Sequence, residues 1–178
     1  MTAPPRDRAT RLADTRRRLE RDIDLWLATA PAGGGAPGLV PLSFHWDGAT
    51  LLVATPSTSR AGTNLRDTGR ARAALGGLRD VVIVDAHAEE RAMDAVPAAR
   101  WERYAAHAGW DPRAEGPPYA AYLLTPVQVQ AWRESNELPG RTLMRDGSWL
   151  SPDRGEDGAP VGSPGFPGGA GTGRAGPQ

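Results

Sequence analysis

The sequence contains no cysteine and no lysine. Without cysteine there can be no disulfide, no thiolate nucleophile and no cysteine-ligated metal. Without lysine, a Walker-type phosphate lysine and a Schiff-base amine are excluded. All 21 basic residues are arginine, so a bound anion must be held by guanidinium groups, hydroxyls or backbone N–H groups. Net charge is missing too, because 21 acidic residues balance the arginines. That removes the electrostatic footprint of a dedicated nucleic-acid or membrane-surface binder. No apolar run approaches the length that spans a bilayer. Arg16, Arg17 and Arg18 imitate the start of an export signal, but Glu20, Arg21, Asp22 and Asp24 stand where an apolar stretch should follow, so the expected compartment is the cytoplasm. Histidine is scarce. His45, His87 and His107 have no histidine partner three or four residues away and no carboxylate cluster to complete a set, so no metal is expected. A Gly-x-Ser-x-Gly nucleophile elbow is also absent.

What is present is a chain of 178 residues, enough for one domain with a hydrophobic core. Three parts are expected: residues 1–21, a frayed start with Pro4 and Pro5 followed by a helix over about 7–21; residues 22–150, the main domain; and residues 151–178. The last part carries nine Gly and five Pro and reads as a disordered tail. Its Gly169–Gly173 run imitates part of a dinucleotide fingerprint, but no strand precedes it and no helix pattern follows. In the helix, Leu12, Leu19 and Ile23 fall near one face. Short strands then follow at 23–29, 39–46, 51–55, 70–75, 80–88, 119–132 (broken near Thr125-Pro126) and 142–150. Asp47-Gly48, Gly76-Gly77 and Asp146-Gly147 supply hairpin turns. A helix from Pro97 to Gly109 would bury Trp101, Tyr104, Ala105 and Ala108. Six to seven antiparallel strands with a few flanking helices make a mainly β (α+β) barrel or sandwich.

Three stretches can carry chemistry. In the first, the apolar strand Leu51–Thr55 runs into Ser57, Thr58, Ser59 and Arg60, and a short helix begins behind them. Hydroxyls, a guanidinium and free helical N–H groups are the set a phosphate needs; a turn that merely caps a helix uses the same residues, and the local pattern by itself favours the cap. In the second, Pro41 interrupts the apolar strand Leu39–Trp46, which suits either an edge or a ligand-facing position. In the third, Arg141 and Arg145 alternate with apolar residues, flanked by Trp132 and Trp149. They can bind or stack on an anionic ligand, or pair with Glu134, Glu137 or Asp146.

These stretches, in this order, resemble the pyridoxamine 5′-phosphate oxidase-like superfamily of FMN-binding split β-barrels, and in particular its actinobacterial branch with deazaflavin-dependent reductases. The resemblance covers roughly Asp22 to Leu150. It implies a homodimer with a cofactor at each end of the interface. Val40, Pro41, Leu42 and Ser43 would run beside the flavin ring. Ala54, Thr55, Ser57, Thr58, Ser59 and Arg60 would form the phosphate turn, with Asn64 nearby. Trp132, Arg141 and Arg145 are similar to the C-terminal Trp and paired Arg residues of the oxidase, and would cross to the partner. Departures exist: Gly38 and Ser43 stand where the oxidase has basic residues, and Ala61 stands where it has a phosphate-binding lysine. They argue against the vitamin substrate and make the deazaflavin coenzyme F420 a competitor of FMN.

The expected function is hydride transfer to or from a small organic substrate by bound FMN or F420. In such an enzyme the cofactor supplies the chemistry, and the absence of an acid–base constellation is no obstacle; it also leaves the catalytic residue unnamed. The alternatives are a non-catalytic flavin or haem carrier of the same fold and a dimeric interaction domain without cofactor.

Overall fold

The computed structural model describes residues 3–151. Apart from Ser151, the expected disordered tail and its glycine run lie outside the described residues.

The first helix, α1 (Arg8–Arg21), starts where Asp7 caps it by accepting a hydrogen bond from the Thr10 amide. It ends with Arg18 and Arg21 in the last turn, where the helix dipole favours cations. Leu12, Thr15 and Leu19 are buried, and so is Arg11. Two expectations fail here. Ile23 does not join the buried face: the helix stops at Arg21 and Ile23 is 45% exposed. From Ala3 onward the start is anchored rather than frayed. The Arg6 guanidinium sits among Glu137, Asp14 and Asp80 at 2.8–3.1 Å, and Asn136 donates to the Ala3 carbonyl.

The strands are β1 (Asp24–Thr29), β2 (Gly38–Trp46), β3 (Leu51–Pro56), β4 (Arg70–Gly77), β5 (Asp80–Arg91), β6 (Tyr119–Trp132), β7 (Thr142–Arg145) and β8 (Ser148–Trp149). They form one antiparallel sheet in the order β3-β2-β1-β4-β5-β6-β7-β8, and β3 also pairs with β6. That second pairing closes β1–β6 into a six-stranded barrel, with β7 and β8 as an annex on β6. The fold is therefore a mainly β split barrel with three helices. Eight strands stand where six or seven were expected, because the final hairpin contributes two. Its turn, Asp146-Gly147, has φ values of 49° and 74°, as a two-residue hairpin loop requires. The expected break near Thr125-Pro126 is a bulge: Asp85 pairs with Gln128 but Ala86 with Pro126, leaving Val127 as the extra residue in a continuous β6.

Strand alternation sorts the core in two. Leu25, Leu27, Phe44, Val53, Val84, Tyr122, Leu124 and Val129 belong to the cluster inside the barrel. Leu52, Ala54 and Ala121 belong to a second cluster on the outer side, covered by α3 (Ala98–Ala108) through Trp101 and Tyr104. Ala105 and Ala108 are only half-buried. The helix α2 (Arg60–Thr68) follows β3 and buries Ala61, Gly62, Asn64 and Leu65. No described helix is long and apolar enough to cross a membrane.

Candidate functional site: the turn between β3 and α2

β3 ends at Pro56, paired with Tyr119 at the start of β6. The chain then turns: the Ser57 amide and hydroxyl both donate to the Pro118 carbonyl, at 2.9 and 3.0 Å. Ser59 caps α2, its hydroxyl accepting from the Gly62 amide at 3.0 Å and lying 3.3 Å from the Thr55 hydroxyl. The cap reading is thus correct for Ser59. It does not use up the turn. The amides of Arg60 and Ala61 open the helix and have no partner within it, the dipole is positive there, and the side chains of Thr58 and Arg60 are exposed.

Arg60 runs over Gly38 and donates to the Ala36 carbonyl in the loop between β1 and β2. A Cβ at Gly38 would stand 3.7 Å from the Arg60 side chain, an ordinary van der Waals contact, so the arginine lies directly against this end of β2. Asn64 has a supporting part. It is buried, and its amide donates to the Thr29 hydroxyl at 3.1 Å, tying α2 to the end of β1. Ala54 is buried beneath α3 and offers no side chain to the turn.

One residue of this site escapes sequence reasoning: Gly62. A Cβ there would come within 2.4 Å of the Pro56 carbonyl and 2.9 Å of the Tyr122 hydroxyl. Only glycine lets the first turn of α2 settle onto β3 and β6. The available signal is a glycine inside a short amphipathic helix, which marks close backbone approach. The Tyr122 hydroxyl below it is buried without a hydrogen-bond partner of good geometry, and burial together with the Glu90 carboxylate pushes the phenol up to about 12.

The second stretch lies alongside. Residues 38–43 of β2 pair with β1, whereas β3 pairs only with Phe44–Trp46. Pro41 therefore occupies an edge, where its missing N–H costs no ladder bond. It is exposed opposite Trp26, while Val40 and Leu42 pack against the barrel core. Ser43 donates to Asp24 at 2.7 Å, and its carbonyl accepts from the Tyr104 hydroxyl at 3.0 Å.

The third stretch is elsewhere. Trp132 pairs with Val81 at the far end of β6, roughly 40 Å of strand path from Tyr119 at about 3.3 Å per residue. The Arg141 guanidinium lies over the Trp132 ring, 5.7 Å from its centroid, and Arg145 is exposed on β7. Glu134 and Glu137 pair with Arg79 and Arg6 rather than with these arginines. The chain thus brings the first two stretches together and leaves the third apart.

Comparison with known proteins fits this geometry. Residues 14–133 match the family model described as pyridoxamine 5′-phosphate oxidase. Among solved structures, similarity extends to an F420 reductase (16% identity, 64% of this chain and 94% of that one, TM-score 0.54). It also includes General Stress Protein 26 from Bacillus anthracis (18%, 68% and 92%, TM-score 0.54). A Clostridium acetobutylicum protein related to general stress protein 26, of the pyridoxinephosphate oxidase family, is similar too (15%, 72% and 92%, TM-score 0.54). At these identities the likeness is one of fold. A search of curated proteins finds no significant match.

Proposed function

This chain belongs to the pyridoxamine 5′-phosphate oxidase family, and on that premise we propose that it is an oxidoreductase that binds a phosphorylated flavin, FMN or the deazaflavin F420, at the β3–α2 turn of a homodimer. The observation that carries the reading is the convergence at that turn of the Thr55, Ser57, Thr58 and Ser59 hydroxyls, the opening amides of α2 and Arg60. The donor set suits a phosphate: it offers directional hydrogen bonds, a helix N-terminus and one guanidinium. On binding, Arg60 exchanges its present acceptor, the Ala36 carbonyl, for a phosphate oxygen.

The bound cofactor supplies hydride transfer. The chain's own residues hold and orient it. The open edge of β2 at Val40–Ser43 adjoins the turn and offers backbone groups that no second strand uses. Asn64 fixes the angle of α2 through Thr29. Trp132, Arg141 and Arg145 lie too far from the turn of their own protomer to serve it, so they serve the partner's site, where the Trp132 ring and the two guanidiniums close over a small organic substrate. The exposed Trp26 and Leu39 on the outer face of β1 and β2 give such a dimer its apolar contact.

The test is the absorption spectrum and mass of the cofactor in freshly purified protein, with titration of the apo form by FMN and F420. A bound flavin or deazaflavin that is reduced by a hydride donor and reoxidised by an organic hydride acceptor supports the proposal. Binding without turnover reduces the protein to a carrier, and failure to bind either removes the reading.

A further inference from the structure

At the other end of β2, away from the β3–α2 turn, two histidines meet. His45 on β2 and His107 on α3 meet edge to face, their ring centroids 6.2 Å apart and their planes at 80°, and the ring of Phe44 stands 6.4 Å from that of His107. His107 Nε2 is 2.9 Å from the Asp22 carbonyl. A carbonyl only accepts, so Nε2 carries the hydrogen, and His107 ties α3 to the end of α1. His45 Nδ1 is buried with no partner.

The groups around the pair come from three elements. α3 contributes Arg100 and Arg103, the hairpin after β2 contributes Asp47, and α1 with its cap contributes Glu20 and Asp22. Asp47 is already engaged by the amides of Ala49 and Thr50 and by Arg100 at 3.0 Å. Arg103 has no ion-pair partner among the described residues. Glu20, His45, Trp46, Asp47, Gly48 and Arg103 line an open cleft of about 390 Å³, which gives solvent and protons a way in.

We propose that the His45–His107 contact is an acid-sensitive clasp, and that a proton on His45 releases α3 from β2. A proton on His45 adds charge next to a second imidazole and two guanidiniums, and its nearest carboxylate is committed elsewhere. Should the proton go to Nδ1, it also buries an N–H without an acceptor. Burial first, then Arg100, His107 and Arg103, hold the His45 imidazole below the usual histidine range. The sign follows: the folded state favours neutral His45, so the stability linked to it is complete above about pH 6.5 and is lost as pH falls below that. What comes away is specific. α3 carries Trp101, which covers Ala54, and Tyr104, whose hydroxyl holds the Ser43 carbonyl. Acid therefore uncovers the outer side of β2 and β3. The clasp stands whether or not the cofactor reading does.

The experiment uses the full chain, with urea unfolding and near-ultraviolet circular dichroism measured from pH 7.5 to 5. Most carboxylates stay charged across that window. Wild type should lose up to about tenfold in folding equilibrium constant per pH unit below 6.5, the effect of one proton taken up on release. The part of the near-ultraviolet aromatic signal that Trp101→Phe removes should fall before the strand signal in the far ultraviolet. His45→Phe, which keeps a ring at the contact and removes the titration, should flatten that slope. If the variant does not fold, NMR titration of the wild-type histidine Cε1 protons decides instead. His45 titrating below 6.5 together with loss of α3 contacts supports the clasp. His45 titrating at or above 6.5, or a His45→Phe slope equal to that of wild type, overturns it.

Discussion

The two outer sides of the barrel wall are built alike and finished differently. On one, strand alternation turns Leu52, Ala54 and Ala121 outward, and α3 lays Trp101 and Tyr104 over them, leaving those two rings 1% and 0% exposed. On the other, the same alternation turns Trp26, Leu39 and Pro41 outward, and no helix among the described residues covers them: Trp26 is 50% exposed and Leu39 60%. A strand face meant for water would carry polar residues at these positions. The first side has its cover within the chain, whereas the second, under the proposed dimer, receives it from a second copy. Under the same proposal, Trp132 and Arg141, which lie apart from the β3–α2 turn, reach a site only through that second copy.

The comparison breaks most visibly on the covered side. Trp101→Ala or Tyr104→Ala should cost about 3–5 kcal/mol, the range for truncating a fully buried aromatic ring, read from urea unfolding. A loss below about 1 kcal/mol would mean that α3 is not part of the cooperative unit. The clamp at the chain's start, which belongs to neither side, supplies a reference of its own. Arg6 bonds to buried Glu137 through both carboxylate oxygens and holds it down to about 2 from an ordinary 4.5. A depressed carboxylate contributes stability that is complete above its unfolded value and is lost as pH falls toward the folded one. Roughly 3 kcal/mol should therefore disappear between pH 4.5 and 2. Glu137→Gln should flatten that part of the pH–stability curve, and an unchanged curve would show that other carboxylates dominate. The bare side should respond least in stability. Trp26→Glu removes half-exposed surface and should change unfolding of the dissociated chain, measured at high dilution, by less than about 1 kcal/mol. In sedimentation, however, the same variant should convert a dimer to a monomer. Wild type that is already monomeric at micromolar concentration would remove the dimer and leave the bare face unexplained.

Much of this architecture is legible in the chain because its signals are local. The Asp146-Gly147 turn, Pro97 and Gly109 at the ends of α3, and the alternation of Leu25 and Leu27 in β1 each follow from a few neighbouring residues. Closure of the barrel by β3 and β6 has no such signature, since both strands read alike whether they meet or not. The Arg6–Glu137 contact joins residues 131 positions apart, which is why Pro4 and Pro5 suggest fraying where the structure has an anchor. At the site, the hydroxyl cluster and the capping role of Ser59 both show in the order of residues. The nearness of Ala36 and Gly38 to Arg60 does not, because it depends on how β1 and β2 pair. Gly62 is intermediate: its presence in a helix is a signal, but its reason, the Pro56 carbonyl and Tyr122, lies in the third dimension.

The account stands on Arg60 as the guanidinium at the phosphate turn, and one titration addresses that directly. A charge-assisted hydrogen bond to a phosphate oxygen is worth roughly 1.5–3 kcal/mol, so Arg60→Ala should weaken FMN or F420 binding by about tenfold to a hundredfold. Arg70→Ala, an equal change in charge at the first residue of β4, should have a much smaller effect, and riboflavin, which has no phosphate, should bind both variants alike. Equal weakening of both variants would reveal only general electrostatics. If Arg60→Ala binds the phosphorylated cofactors as tightly as wild type, the turn is a helix cap and nothing more.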